Sequence, residues 1–294
     1  MMIEELKKRN PWMEFSKNYQ GVEFLYSDEK KYLCDCDKGI LESYNEGKSE
    51  EDKFVLGVPA FPWYGNPLTA KVIILSLNPA YNDRQKKIIK MIQRLDSNVT
   101  KGFTDHLRNM LTFDVNSFLP TKDDEKDGLS SRDIANIHQS WYWQNKLIKA
   151  FISREDKDNN DDKKNPEKIL EEFENINNKV ALIQLVPYSS KYKPHLKVSE
   201  DNGLSLGKFG KIPSWDFTRD LIEYILTTKE DVIFIVARSE KEWKSLIGTD
   251  LWNKHEKRHR FVLSNNYRSQ YFSFKRDNEN NVDDRQIIMK TFEI

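Results

Sequence analysis

A short apolar run stops abruptly at Asn-Pro in the sequence Lys71-Val72-Ile73-Ile74-Leu75-Ser76-Leu77-Asn78-Pro79-Ala80-Tyr81. The run is too short for a free-standing helix and too apolar for a surface strand, so it predicts a buried strand of a parallel sheet. Because proline has no N–H for a sheet ladder, the strand should end before Pro79. Ligands of open α/β sheets bind beyond the carboxyl ends of the strands, which makes Asn78 a candidate site residue. An Asx-Pro turn with no further role is the alternative interpretation of the same residues.

Three further apolar runs predict strands of the same kind, at residues 179–186, 231–237 and 261–263. Segments of helical character separate these runs along the chain. This alternation predicts an α/β fold with three α/β/α layers and a central four-stranded parallel sheet. We expect the strands in the order second, first, third, fourth across the sheet, with helices on both faces.

Two serines have the position of helix N-caps. Ser214 is expected to cap a helix that runs to Thr227. Ser239 and Glu242 have the spacing of a capping box, which would open a helix ending at Ile247.

The chain is expected to form a single domain of 294 residues, with an N-terminal extension over residues 1–57 packed against the sheet. Residues 42–53 are polar and predict a loop. Residues 58–67 contain three prolines and a glycine, which predict irregular structure. Residues 154–166 contain no apolar residue, so they predict a disordered surface loop. The final stretch, 287–294, fits a helix or an edge element.

The charge balance limits the classes of partner. Lys+Arg and Asp+Glu both number 47, so the net charge is zero and any nucleic-acid contact must rest on a local basic patch. No run of 18 apolar residues and no signal-peptide apolar region is present, so we expect a cytoplasmic monomer without membrane contact. Cys34 and Cys36 are too few for a zinc or iron–sulfur site made of cysteines alone, and we expect two reduced thiols.

Several catalytic motifs are absent from the sequence. It has no G-x-S-x-G, no P-loop and no G-x-G-x-x-G, and its five histidines form no metal-ligand pair. Three predicted strand ends instead carry amides, at Asn78, Gln184 and Asn265. Such a site can read the hydrogen-bonding edge of a heterocycle or hold a water for attack. Cleavage of an N-glycosidic bond uses both abilities and requires no protein nucleophile.

These residues resemble the motifs of the uracil-DNA glycosylase superfamily. The resemblance involves Leu77-Asn78-Pro79 after the first strand, the strand at 179–186, and the fourth strand with the loop 264–271. The preceding Phe61-Pro62-Trp63-Tyr64-Gly65-Asn66 is similar to bacterial relatives of that family. The resemblance covers roughly residues 58 to 276. It implies a DNA glycosylase that flips a base out of the duplex in base-excision repair.

The resemblance also implies roles for individual residues. Asn78 would place the catalytic water and Asn265 would polarise the base. The residues that would contact the base are Leu77, Ala80, Tyr81 and Gln184. Tyr267, Arg268 and Tyr271 would contact the DNA by filling the gap left by the flipped base. Lys191, Lys193 and Lys275, which flank the predicted strand ends, are expected to contact the DNA as a basic rim. No cofactor and no metal ion are implied.

Departures from the family pattern bear on the choice of base. Ser76 replaces a glycine, Asn78 replaces the aspartate of the uracil-specific branch, and Asn266-Tyr267 replaces Pro-Ser. Ala80 lies where that branch has a tyrosine that excludes a substituent at C5, and Gln184 is one methylene longer than the family's asparagine. These changes favour a modified or damaged pyrimidine over plain uracil, as a defence enzyme against viral DNA would require.

Two other functions remain open from the sequence. Asn78-Pro79-Ala80-Tyr81 is similar to the Asn-Pro-Pro-Tyr motif of amino-methyltransferases, although the glycine-rich loop for a methyl donor is absent. A non-catalytic module on the same fold, which binds DNA or protein, is the second alternative.

Overall fold

The computed structural model describes residues 2–17, 32–79, 81, 105, 108–114, 177–199, 203–264, 276–277 and 282–292. The helices in these residues are α1 (Ile3–Lys8), α2 (Trp12–Lys17), α3 (Lys38–Glu46), α4 (Trp215–Thr228), α5 (Glu240–Ile247), α6 (Thr249–Glu256) and α7 (Asp284–Phe292). The strands are β1 (Trp63–Tyr64), β2 (Val72–Ser76), β3 (Val180–Gln184), β4 (Lys197–Ser199), β5 (Gly203–Ser205), β6 (Ile233–Val236), β7 (Phe261–Leu263), β8 (Arg276–Asp277) and β9 (Val282–Asp283). The predicted loop 154–166 lies outside the described residues.

The central sheet has five strands in the order β1-β3-β2-β6-β7. The four predicted strands are confirmed as β2, β3, β6 and β7, and they are parallel and in the predicted order. The prediction of a purely parallel four-stranded sheet is wrong, because β1 pairs antiparallel with β3. The prolines around β1 hide this strand in the sequence and also keep it to two residues, since proline cannot donate to a ladder.

The core surrounds the central strands. Every residue of β2, β3 and β6 is buried, which explains their continuous apolar sequences. Leu6, Trp12 and Phe15 from the first two helices belong to the same buried cluster. The N-terminal segment therefore packs into the core, as expected.

Both N-cap predictions are wrong, although the helices themselves are confirmed. The Ser214 side chain forms no cap hydrogen bond, and its backbone N–H donates instead to Oδ1 of Asp37 at 2.8 Å. Ser239 also forms no side-chain cap. Its φ of 59° lies in the left-handed region, whereas an N-cap residue has extended backbone.

One loop boundary also differs from the sequence expectation, whereas the C-terminal stretch takes one of its two expected forms. Residues 42–46 belong to α3 rather than to a loop, because Leu41 and Tyr44 form a buried helical face. The C-terminal stretch is helical as α7. Among the described residues, no helix has the length and apolar character needed to cross a membrane.

Candidate active site at the carboxyl end of the sheet

The candidate site lies where β2 and β3 end side by side. Ser76 is in register with Gln184, so their side chains lie on the same face of the sheet. The ladder continues past both strands, because the Val186 N–H donates to the Leu77 carbonyl at 2.7 Å. Asn78 follows at once and lies directly beyond the carboxyl end of β2, as predicted.

The amide of Asn78 has a fixed orientation. Its Nδ2 lies 2.8 Å from Ser190 Oγ, 3.1 Å from the Pro79 carbonyl and 3.5 Å from the Tyr188 carbonyl. Ser190 Oγ donates its proton to the Tyr192 carbonyl at 2.5 Å, so it can only accept from Asn78. With three acceptors around one amide atom, that atom must be the nitrogen. Oδ1 of Asn78 forms no hydrogen bond with the described residues and keeps its acceptor capacity.

The side-chain amide of Gln184 is buried without hydrogen bonds. The residue is 1% exposed, yet neither Oε1 nor Nε2 has a hydrogen-bond partner in the described part of the chain. Buried side-chain amides are normally hydrogen bonded, because an unpaired group loses the hydrogen bonds it makes to water. Gln184 thus offers one acceptor and two donors at the carboxyl end of β3.

Two loops lie against these strand ends. The Ser190 N–H donates to the Pro79 carbonyl at 3.2 Å, and the Tyr81 N–H donates to the Ser190 carbonyl at 3.0 Å. The Phe61 N–H donates to the Pro187 carbonyl at 2.8 Å, so the aromatic segment before β1 borders the same edge. These backbone bonds fix the walls of the candidate site.

The predicted base-contact residues have different environments. Leu77 is 4% exposed and packs in the hydrophobic core, whereas Tyr81 is half-buried and packs against that core. Ala80 lies outside the described residues. So do Asn265, Tyr267, Arg268, Tyr271 and Lys275, and their predicted roles stay predictions.

The two described lysines predicted to contact DNA are exposed and carry ion pairs. Lys191 Nζ lies 2.7 Å from Glu51 Oε1, and its hydrogen bond with that carboxylate raises the pKa of Lys191. Lys193 Nζ lies 3.1 Å from Glu242 Oε1. Exposed ion pairs contribute little free energy, so both lysines can exchange their partner for a phosphate.

Three residues near the strand ends are missing from the sequence prediction. Ser190 and Tyr188 hold Asn78 from more than 100 positions away, which no local pattern reveals. Ser264, directly after β7, has a buried Oγ that makes no hydrogen bond with the residues the structure describes. The sequence feature that could have identified Ser264 as a site residue is its position directly after a predicted strand.

No protein-family model matches the chain, and searches of curated proteins and of solved structures found no match either. The resemblance to the uracil-DNA glycosylase superfamily therefore rests on the sequence motifs.

Proposed function

We propose that the chain is a DNA glycosylase that hydrolyses the N-glycosidic bond of a modified or damaged pyrimidine. The observation that carries the proposal is the buried amide of Gln184, neither atom of which has a hydrogen-bond partner among the described residues. Such a group costs about 1–3 kcal/mol of stability. The edge of a pyrimidine presents donors and acceptors next to one another, so a flipped base would pair with both amide atoms.

Asn78 supports the hydrolytic step. Its Nδ2 is held by Ser190, so Oδ1 can accept a hydrogen bond from a water. In the reaction, the water oxygen bonds to C1′ of the sugar while the bond from C1′ to the base nitrogen breaks. The electron pair leaves with the base, which gains a proton, and the sugar keeps the hydroxyl. The role of Asn78 is to position the water, since an amide is a poor general base.

The preferred base is inferred from two positions at which the chain departs from the family pattern, Ala80 and Gln184. Ala80 removes the ring that would exclude a C5 substituent, and the longer Gln184 amide meets the base edge at a different depth. A site that hydrogen-bonds a base edge can reject mismatched analogues by about 10⁴ or more. Plain uracil should therefore be a poor substrate compared with a 5-substituted pyrimidine.

The proposed glycosylase would have the α/β/α layers of the family that it resembles, and it would be a cytoplasmic monomer. Asn265 would polarise the base. DNA would be bound along Lys191 and Lys193 and the loop 264–271. Removal of modified bases from viral DNA would be the biological purpose.

A non-catalytic binding module is the second candidate. The observation that favours it is the bonding of Asn78 to Ser190, Tyr188 and Pro79, because a residue that only braces two loops would make the same bonds. On that view Gln184 would have no ligand, and its lost hydrogen bonds would have no compensation.

The test is release of free bases. The protein is incubated with duplexes that carry uracil, 5-substituted uracils or 5-substituted cytosines, and with unmodified DNA, and released bases are identified by mass spectrometry. We expect release of a 5-substituted pyrimidine and an abasic site in the strand. Release of uracil alone would contradict the predicted base preference, and release of nothing would favour the binding module.

A further inference from the structure

We propose that Cys34, Cys36 and Asp37 form a binding site for a thiophilic divalent cation of the Zn²⁺ class. The three residues lie in the turn before α3, where the Asp37 N–H donates to the Cys34 carbonyl at 2.9 Å. Their ligand atoms all lie within 4.8 Å of one another. The sequence suggested two isolated thiols, and the fold adds a carboxylate to them.

The distances from Cys36 to the other two ligands are close to those of tetrahedral coordination. Zn–S bonds of about 2.3 Å at tetrahedral angles put two bound sulfurs about 3.8 Å apart, and a sulfur and a carboxylate oxygen about 3.5 Å apart. Sγ of Cys36 lies 3.4 Å from Oδ1 of Asp37. The two sulfurs are 3.2 Å apart, so they must separate by roughly half an ångström. Cys36 is exposed and contacts both other ligands, whereas Cys34 is buried.

Asp37 is held as a metal-ligating carboxylate would be. Its Oδ2 accepts from Tyr188 Oη at 2.8 Å, and its Oδ1 accepts from the Ser214 N–H at 2.8 Å. Outer partners of this kind fix the orientation of a ligand and are worth about 10–100-fold in metal affinity.

The burial of Asp37 is the second observation that points to a cation. The residue is fully buried, and its two carboxyl oxygens accept hydrogen bonds from Tyr188, Ser214 and Cys36. No Lys, Arg or His among the described residues forms an ion pair with it. A buried carboxylate without a cationic side chain beside it can be compensated by a bound metal ion.

The ligand set selects the class of metal. Thiolates favour Zn²⁺ and similar ions over Mg²⁺ and Ca²⁺, which prefer oxygen ligands only. Three protein ligands leave a fourth position, and the exposed side of Cys36 lets a water fill it. Binding releases the two thiol protons as the two sulfur–metal bonds form, so the dication with two thiolates and the Asp37 carboxylate carries one net negative charge.

The test uses Co²⁺ as a spectroscopic probe on the reduced, chelator-treated full chain. We expect one Co²⁺ per chain, with a thiolate-to-cobalt charge-transfer band that Zn²⁺ abolishes by displacement. Cys36→Ala should remove the band, and because Cys36 is exposed this variant should keep its fold by circular dichroism. Tyr188→Phe should weaken affinity by about 10–100-fold through the carboxylate.

The matched control is Asp35→Asn, an exposed acid of the same turn that is not among the ligands. It should keep the band and the affinity of the wild-type protein. Absence of the band in the wild-type protein, or an unchanged band in Cys36→Ala, would overturn the proposal.

Discussion

The two ends of the parallel strands differ in how their polar side chains are hydrogen bonded. At the amino ends, cationic side chains donate to backbone carbonyls. Arg260, which is 4% exposed, donates to the Val232 carbonyl at 3.0 Å and to the Leu226 carbonyl at 2.7 Å. Lys179 donates to the Phe292 carbonyl at 2.9 Å. These contacts join strands to helix ends and are structural.

At the carboxyl ends, hydrogen-bonding capacity is left over. Within the described part of the chain, Gln184 has no hydrogen bond at its amide, and the buried Oγ of Ser264 has none either. Asn78 uses only its nitrogen. Unpaired atoms also occur at the amino end, at Arg260 Nη2 and His255 Nε2, but both of these side chains keep other hydrogen bonds. Gln184 differs because neither atom of its amide has a partner among the described residues, and such a group beyond a strand end indicates where a ligand binds.

The largest expected effect concerns the amino end. Arg260→Met leaves the Val232 and Leu226 carbonyls without a donor, so the free energy of unfolding should fall by about 2–4 kcal/mol. Turnover per folded molecule should not change. Urea unfolding and activity assays measure both, with the exposed Arg258→Met as control, which should stay within about 0.5 kcal/mol. A loss of turnover in folded Arg260→Met would show that the two ends are not separate.

The next effect concerns Asn78. Asn78→Ala should lower turnover about 100-fold, or about 2.7 kcal/mol, because the catalytic water loses its acceptor. The matched variant Ser190→Ala removes the partner that braces Asn78 but keeps its amide, so turnover should fall about tenfold or less. Equal losses in single-turnover base release would mean that Asn78 only braces the loops.

The next prediction concerns the pH dependence of stability that His255 produces at the amino end of the sheet. Burial, with the charge of Arg260 next, lowers the pKa of His255 from 6.5 to about 4. The unfolded chain therefore binds a proton that the folded chain does not bind between these values. The stabilisation from neutral His255 should be fully present above pH 6.5 and should be lost as pH drops toward 4, by on the order of 3 kcal/mol. His255→Gln should show a flatter profile in urea unfolding, and an identical profile would contradict this origin.

The smallest effect concerns salt. If Lys191 and Lys193 exchange their ion pairs for phosphates, each Lys→Gln variant should reduce the log–log salt slope of DNA binding by about 0.9. Lys71, which pairs with Asp231 at the amino end, is the matched control and should leave the slope unchanged. An equal change for Lys71→Gln would show that the basic patch is not confined to the carboxyl end.

The sequence predicts the central strands because burial on both faces makes them continuously apolar. It also places Asn78, since the strand-to-proline boundary is local. It does not predict β1, whose two residues are surrounded by prolines. Nor does it predict that the Ser214 N–H donates to Asp37, because that contact spans 177 positions. The unpaired state of Gln184 depends on all its neighbours in space and cannot be read from a local pattern.

The most direct measurement of the central claim compares stability and base release in Gln184→Met. An unpaired buried amide destabilises the protein when no ligand is bound, so the free energy of unfolding of the variant should rise by about 1–3 kcal/mol. The variant should also release bases far more slowly, because the base loses its partner. Ile183→Met, on the opposite face of β3, is the control and should cost less than about 1.5 kcal/mol while keeping turnover. A Gln184→Met protein that is less stable than the wild type, or that releases bases at the wild-type rate, would contradict the account.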